Sequence, residues 1–365
     1  MGGADIDTSQ LANVDVSQLT KRDKELFHEL KWRLSARESL VEYARSIPIP
    51  GVPQTDNYEQ LLAEDKLDWK YVDDRYDNRQ YINKIETDLA DHHILILETS
   101  QDIIEGNITA PDGTTVKRAM FFMPPGSAKS TYVDVVIPTW VMGKYPGNPI
   151  ILTSYADMLA KKHGKRARQV CMSPEYQAIF SSTLDPKTGA ADQWALLNGS
   201  EYLAAGLQSG LTGNRAFGAI VDDPIKGRQA AESLTQRQAM LDAYKDDFRT
   251  RKIPSAWEII IQTRWHEEDL AGWILPEDWK GESGLMKCRD GYWWQIVCVQ
   301  AECETDTDPL GRAPGQYIWE EWFHDGGDVE AYWACLLYTS PSPRDIEVHR
   351  VCRLLLEKGG GGGGG

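Results

Sequence analysis

The stretch Phe121-Phe122-Met123-Pro124-Pro125-Gly126-Ser127-Ala128-Lys129-Ser130-Thr131 decides how the chain is read. An apolar run, Ala119 to Met123, stops at two prolines. Small residues follow, then Lys-Ser-Thr, then an apolar stretch from Val133 to Ile137. That order reads as strand, tight loop, helix. Phosphate binding needs it: loop N–H groups and the helix N-terminus face an anion, a lysine reaches the terminal phosphates, and a hydroxyl holds Mg²⁺. The match to G-x-x-x-x-G-K-[ST] is partial, with Met123 at the first glycine position and Ala128 at the second. The bland alternative is a turn carrying an exposed lysine.

A second signature lies downstream. Ala219-Ile220-Val221 ends in Asp222-Asp223-Pro224, an apolar run tipped by two acids. Parallel strands are buried on both faces, hence the unbroken apolar run, and ligands sit at their C-terminal ends. A carboxylate at such a tip binds Mg²⁺, and its neighbour can orient or deprotonate a water. A third run, Ala256-Trp257-Glu258-Ile259-Ile260-Ile261, ends in Gln262-Thr263, where a polar residue can sense a γ-phosphate. Arg264 to Leu270 is expected to begin a helix. His266-Glu267 fails the H-E-x-x-H pattern because Leu270 stands at the last position, which disfavours a zinc protease.

Bulk properties set limits. A chain of 365 residues can bury one large or two modest cores. No apolar run of about 18 residues suggests a membrane span, and the polar, acidic start lacks a signal-peptide pattern. Six scattered cysteines without paired C-x-x-C spacing indicate neither zinc nor a disulfide frame and suit a reducing compartment. A net charge of −16 argues against a protein that coats DNA over its whole surface, though not against a local basic face.

Along the chain, residues 1–25 read as disordered or loosely held. Glu25 to Ser46 reads as one or two amphipathic helices with Leu26, Leu30, Leu34, Leu40, Val41 and Ala44 turned inward. Asp91 to Glu105 reads as a helix, and its His92-His93 pair has no carboxylate or Cys at ligand spacing, so a surface or packing role is favoured over a metal. A short strand at Asn148–Tyr155 leads into a helix to about Cys171. That helix holds the densest basic cluster: Lys161, Lys162, His163, Lys165, Arg166 and Arg168. It is either a solvated face or a contact for DNA phosphates. Residues 181–200 read as loop, Gly206–Gly218 as a glycine-rich loop, 229–249 as helix and Tyr292–Val299 as strand. From Cys335 to Gly365 the sequence back-translates into a sequencing adaptor followed by poly-G. It reads as a disordered, non-native read-through tail on a truncated gene.

Four motifs together resemble the ATPase domain of the tailed-phage large terminase: Pro124 to Ser130, Gly210-Leu211-Thr212-Gly213-Asn214-Arg215, Val221 to Pro224, and Thr263 to Leu270. Tyr317 to Phe323 is similar to the segment that leaves that domain. The resemblance covers roughly residues 85–330. It implies an α/β P-loop NTPase (RecA-like) fold, a three-layer sandwich with a mainly parallel central sheet and helices on both faces. Residues 1–84 would be an N-terminal helical, partly disordered extension and 85–334 the ATPase domain. The C-terminal nuclease domain usual in the family would be absent. The implied activity is ATP hydrolysis that drives double-stranded DNA into the procapsid. The implied partners are DNA, the portal protein, the small terminase subunit and further copies in a ring, in the host cytoplasm and without a membrane.

Carried over by residue, Pro125, Gly126, Ser127, Ala128, Lys129, Ser130, Thr131 and Gln262 would bind ATP. Ser130 and Asp222 would hold Mg²⁺. Lys129, Asp223, Thr263 and Arg264 would be catalytic. Asp223 stands where many relatives carry Glu, one methylene longer. Pro124 and Pro125 occupy the place where some relatives carry an arginine, so Arg166, Arg168 and Arg215 are the candidate arginine fingers. Two other readings stay open: a helicase-like nucleic-acid-dependent P-loop ATPase, and a docking module with a degenerate, non-hydrolysing loop.

Overall fold

A computed structural model describes residues 20–49, 67–71, 79–83, 89–190, 192–304, 306–320 and 329. The expectations for residues 1–19 and for the tail from Cys335 lie outside them. Strands β1 (Leu67–Tyr71) and β2 (Arg79–Asn83) form a separate antiparallel pair. The main sheet contains β3 (Arg118–Phe122), β4 (Pro149–Ser154), β5 (Leu184–Gly189), β6 (Gln193–Leu196), β7 (Glu201–Gly206), β8 (Ala216–Asp222), β9 (Lys252–Gln262), β10 (Gly284–Lys287) and β11 (Trp293–Cys298). Its order is β10-β11-β3-β9-β8-β4-β7-β6-β5. The run from β11 to β7 is parallel throughout, and β10, β6 and β5 add antiparallel edges.

Side chains alternate across this sheet, as strand geometry requires. Ala119 and Phe121 of β3, Ile220 of β8, and Ile259 and Ile261 of β9 enter one core. Met120, Phe122, Ala219, Val221 and Ile260 enter the other. The first core is covered by α1 (Lys21–Glu38), α2 (Leu40–Ser46), α3 (Asp91–Glu105), α4 (129–144), α5 (Asp157–Met172) and α6 (Pro174–Phe180). The second is covered on the far face, where α7 (Arg228–Glu232) leads into α8 (Leu234–Asp242), and by α9 (Leu270–Ile274). The fold is therefore the expected P-loop three-layer sandwich. The N-terminal helices share its core: the Tyr43 hydroxyl donates to Thr139 Oγ1 at 2.8 Å and Trp140 Nε1 donates to the Ala36 carbonyl at 3.2 Å. Among the described residues no helix is long and apolar enough to cross a membrane.

Helix α4 runs as three pieces: Lys129–Thr131, a π-helical turn Tyr132–Val136, and Ile137–Lys144. Pro138 has no N–H to give to the carbonyl of Asp134 one turn back. That carbonyl accepts from the Tyr202 hydroxyl at 2.8 Å instead. The π turn thus sits where the regular ladder is already broken.

Three local expectations need correction. Residues 181–200 are not loop: they carry the β5–β6 hairpin, whose exposed, Pro186-containing outer strand hides the usual alternation, as edge strands do. The helix expected from Arg264 starts only at Leu270. Asp269 caps it, accepting from Gly272 N at 2.9 Å, and the residues before it make a turn. Leu26 is exposed, whereas Leu40, Val41 and Ala44 are buried.

Candidate active site

The sheet order builds the site. Strands β3 and β8 are not neighbours, because β9 lies between them. Parallel pairing brings all three C-terminal ends to one edge. The loop after β3 that runs to Lys129, the Gln262-Thr263 end of β9 and Asp222-Asp223 at the end of β8 meet there.

The loop itself turns through left-handed backbone at Gly126 (φ 81) and at Ala128 (φ 57). Glycine adopts this conformation freely, while alanine is disfavoured by about 1 kcal/mol. The surroundings hold it in place. The Ala128 carbonyl accepts from Thr131 N at 2.9 Å, and Ser127 is fully buried. Ala128→Gly should therefore raise the melting temperature by about 2–4 °C. A fall would mean that packing of the Ala128 methyl against the core outweighs the backbone strain.

Two histidines clamp the loop from behind. His92 Nε2 and His93 Nε2 both donate to the Ser127 carbonyl, at 3.0 and 3.1 Å. The acceptor is a carbonyl, so both nitrogens must carry protons. Ala90 N donates to His93 Nδ1 at 3.3 Å, which fixes the same tautomer independently. His93 stacks on Tyr132, with ring centroids 4.1 Å apart. The pair packs rather than lying at the surface, and it holds the loop after β3 in shape. Burial lowers the His92 pKa to about 4, and Arg312 adds to the shift. Between pH 6.5 and 4 the unfolded chain binds a proton here that the folded chain does not. Stability from this group is present above pH 6.5 and lost as pH falls. His92→Gln, which keeps a donor, should flatten the acid-side loss by about 1.4 kcal/mol per pH unit in denaturant titrations. An unchanged slope would show that His92 does not stay neutral in the fold.

Ser130 Oγ donates to Asp222 Oδ1 at 3.0 Å. Adjacent oxygen ligands of an octahedral Mg²⁺, each at 2.0–2.1 Å, lie about 3 Å apart. The two residues expected to hold Mg²⁺ therefore fit it. Asp222 is buried, and burial and then the neighbouring Asp223 push its carboxyl up to about 7. A cation there would relieve both causes. Asp223 adopts φ 40 and is held at every backbone polar group: its N–H donates to Ile261 O, and its carbonyl accepts from Tyr155 N. Its Oδ1 accepts from Thr263 N at 2.8 Å. The tip of β8 is thus tied directly to the tip of β9.

Gln262 and Arg264 do not face the loop alone. Gln262 Nε2 and Arg264 Nε both donate to Asp269 Oδ2, at 3.1 and 2.8 Å. Arg264 also donates to the His266 and Glu267 carbonyls, and all three side chains are buried. Its guanidinium is committed to that turn, so this geometry gives it a bracing position rather than a phosphate-facing one.

The arginine-finger candidates separate. Arg215 precedes β8, whose seven residues put it about 20 Å from Asp222. It donates to Thr250 O and lines a cavity of about 270 Å³ with Gly147, Glu201 and Asn214. It cannot reach the phosphate loop of its own chain. Burial and then Arg166 depress the His163 pKa, and His163 lies 3.7 Å from Asp134. Arg168 lies on the same helix.

From sequence, Asp134, His163 and Asp269 had no role in the site: His163 stood in the basic cluster of α5 and Asp269 among the acids of the motif from Thr263 to Leu270. Asp134 interrupts the apolar run Val133-Asp134-Val135-Val136, and a lone acid there was the available signal. His163 alone of the α5 basic cluster is fully turned inward.

A family model for the T4likevirus-type terminase large subunit, N-terminal region, matches residues 120–326. The large terminase of bacteriophage HK97 is similar at 16% identity, with a TM-score of 0.42, over 70% of this chain and 50% of that one. The large terminase ATPase domain of Thermus phage P74-26, as a mutant, is similar at 16% identity, with a TM-score of 0.27, over 41% of this chain and 61% of that one. The chain thus spans half the length of the HK97 protein. No curated protein matches it. The family match covers more than half of the chain, and the chain belongs to the T4likevirus-type family of terminase large subunits.

Proposed function

We propose that this chain hydrolyses ATP and that hydrolysis drives double-stranded DNA into a procapsid. It would act as one subunit of a ring seated on the portal protein, with the small terminase subunit as a further partner, in the host cytoplasm. The observation that carries the reading is the meeting of Ser130 and Asp222 at 3.0 Å beneath a loop headed by Lys129. Family membership supports the packaging role.

In this reading the N–H groups of Gly126 to Lys129 and the start of α4 cradle the β- and γ-phosphates. Thr131 lies in the same first turn, and Pro125 sets the entry to the loop. Lys129 places its ammonium against charge that spreads over the γ-oxygens in the transition state. Mg²⁺, held by Ser130 and Asp222, would neutralise phosphate charge. Asp223 has one oxygen on Thr263 N, and its other oxygen takes the proton of the attacking water. As the new oxygen–phosphorus bond forms, the bond to the β-phosphate oxygen breaks. Loss of the γ-phosphate then releases Asp223 against Thr263. Gln262, Arg264 and Asp269 pass the shift to α9.

The test is ATP turnover by the full chain, with and without duplex DNA. DNA-stimulated turnover is expected. Turnover indifferent to DNA would contradict the motor reading. Tight ATP binding without turnover would place the missing arginine on a neighbouring subunit. The Arg215 geometry keeps that arrangement open only in trans.

A further inference from the structure

Below the phosphate loop lies a buried cluster that the hydrolysis scheme does not use in full. Asp134, from the π turn of α4, and His163, from α5, both face Asp222. One ligand atom from each of the three lies within 4.8 Å of the other two, and all three residues are buried. His163 Nδ1 and Asp134 Oδ2 are 3.7 Å apart, too far for a hydrogen bond. Among the described residues no donor other than a shared proton serves Asp134, whose carboxyl lies within hydrogen-bonding reach of the Asp222 carboxyl, and His163 Nδ1 has no hydrogen-bond partner.

Such groups are costly to leave unmet. A buried carboxylate without a donor loses its hydration and gains nothing in return. Lys129 acts on Asp134 through its charge without pairing with it. A proton shared between Asp134 and Asp222 would satisfy the two acids but would still leave His163 Nδ1 unmet. An imidazole nitrogen without a proton has a lone pair to give. One partner answers all three groups: a divalent cation. The donor set is one imidazole nitrogen and two carboxylate oxygens. Imidazole suits Fe²⁺, Ni²⁺ and Zn²⁺ and carboxylate suits Mn²⁺, so a mixed donor set favours a first-row transition ion over Mg²⁺, which is held by oxygen.

We propose that Asp134, His163 and Asp222 form a second divalent-cation site, beneath the Mg²⁺ position, that takes a first-row transition ion such as Mn²⁺. The site staples α4 and α5 to the tip of β8. Because Asp222 serves both positions, its occupancy bears on the setting of the nucleotide site above. The site itself stands whether or not the chain hydrolyses ATP.

The experiment uses the full chain without nucleotide, with Mn²⁺ as the probe. Bound Mn²⁺ is counted by electron paramagnetic resonance, and its ligands are read from pulsed spectra. The tightly bound ion should show coupling to an imidazole ¹⁴N. His163→Gln should abolish that coupling, and Asp134→Asn should weaken binding at least about tenfold. Thermal melts establish that both variants are folded. Mn²⁺ bound without ¹⁴N coupling in the unmutated chain overturns the proposal, whatever the variants do. So does coupling that persists in a folded His163→Gln protein. No nucleotide is present, so neither result bears on hydrolysis, and a failure of the ATPase reading would leave this outcome untouched.

Discussion

Lys129→Ala is expected to reduce ATP turnover by at least about 10²–10³-fold, the scale of losing one preorganised charge-stabilising group at a reacting centre. Lys129 opens α4 and is almost fully buried, in the same pocket as Asp222 and Asp134. It is the cation those acids face, and the phosphates would join it from the loop side. Removing it leaves two buried acids without a balancing charge, so phosphate binding should weaken along with turnover. The first turn of the helix should survive, because the bond from Thr131 N to the Ala128 carbonyl does not involve the side chain. Steady-state kinetics beside a circular dichroism spectrum checks this. Turnover within a few-fold of the unmutated chain, in a folded variant, would remove Lys129 from the chemistry.

Asp269→Ala is expected to cost about 3–5 kcal/mol, the price of stranding a buried charge. The Arg264 side chain is 4% exposed and its carboxylate partner 1%. Asp269 also receives Gln262 Nε2 and caps α9 through Gly272 N. The substitution thus leaves Arg264 unpaired, removes a partner from Gln262 and uncaps a helix. Chemical denaturation should show a large fall in midpoint with the slope preserved. Replacing both residues, Arg264→Met with Asp269→Ala, should recover part of the loss, because no lone charge then stays buried. A single-variant cost below about 1 kcal/mol would show that the network is not under the constraint its burial implies.

The layout of the sheet was legible where apolar runs ended in chemistry. β3, β8 and β9 carry short apolar runs, at 119–123, 219–221 and 259–261, because both of their faces are covered there, and the runs of β8 and β9 stop at polar tip residues. The phosphate loop and Asp222-Asp223 stood out for the same reason. The β5–β6 hairpin did not, since an edge strand such as Leu184–Gly189 needs no apolar face. Nor could periodicity show that Arg264 folds back onto Asp269, five residues on, rather than toward a phosphate. That choice is made by a buried turn whose partners are visible only in three dimensions. The histidine pair illustrates the same limit. Spacing gave no ligand partner for His92-His93, and the carbonyl that uses them lies 34 positions from His93.

The most direct measurement is a calorimetric titration of ATP into the full chain with and without Mg²⁺, repeated with Ser130→Ala and Asp222→Asn. An ATP site built on Ser130 and Asp222 requires one site per chain whose affinity depends on Mg²⁺, and loss of that dependence in either variant. An absence of binding, or binding whose Mg²⁺ dependence survives both substitutions, would contradict it.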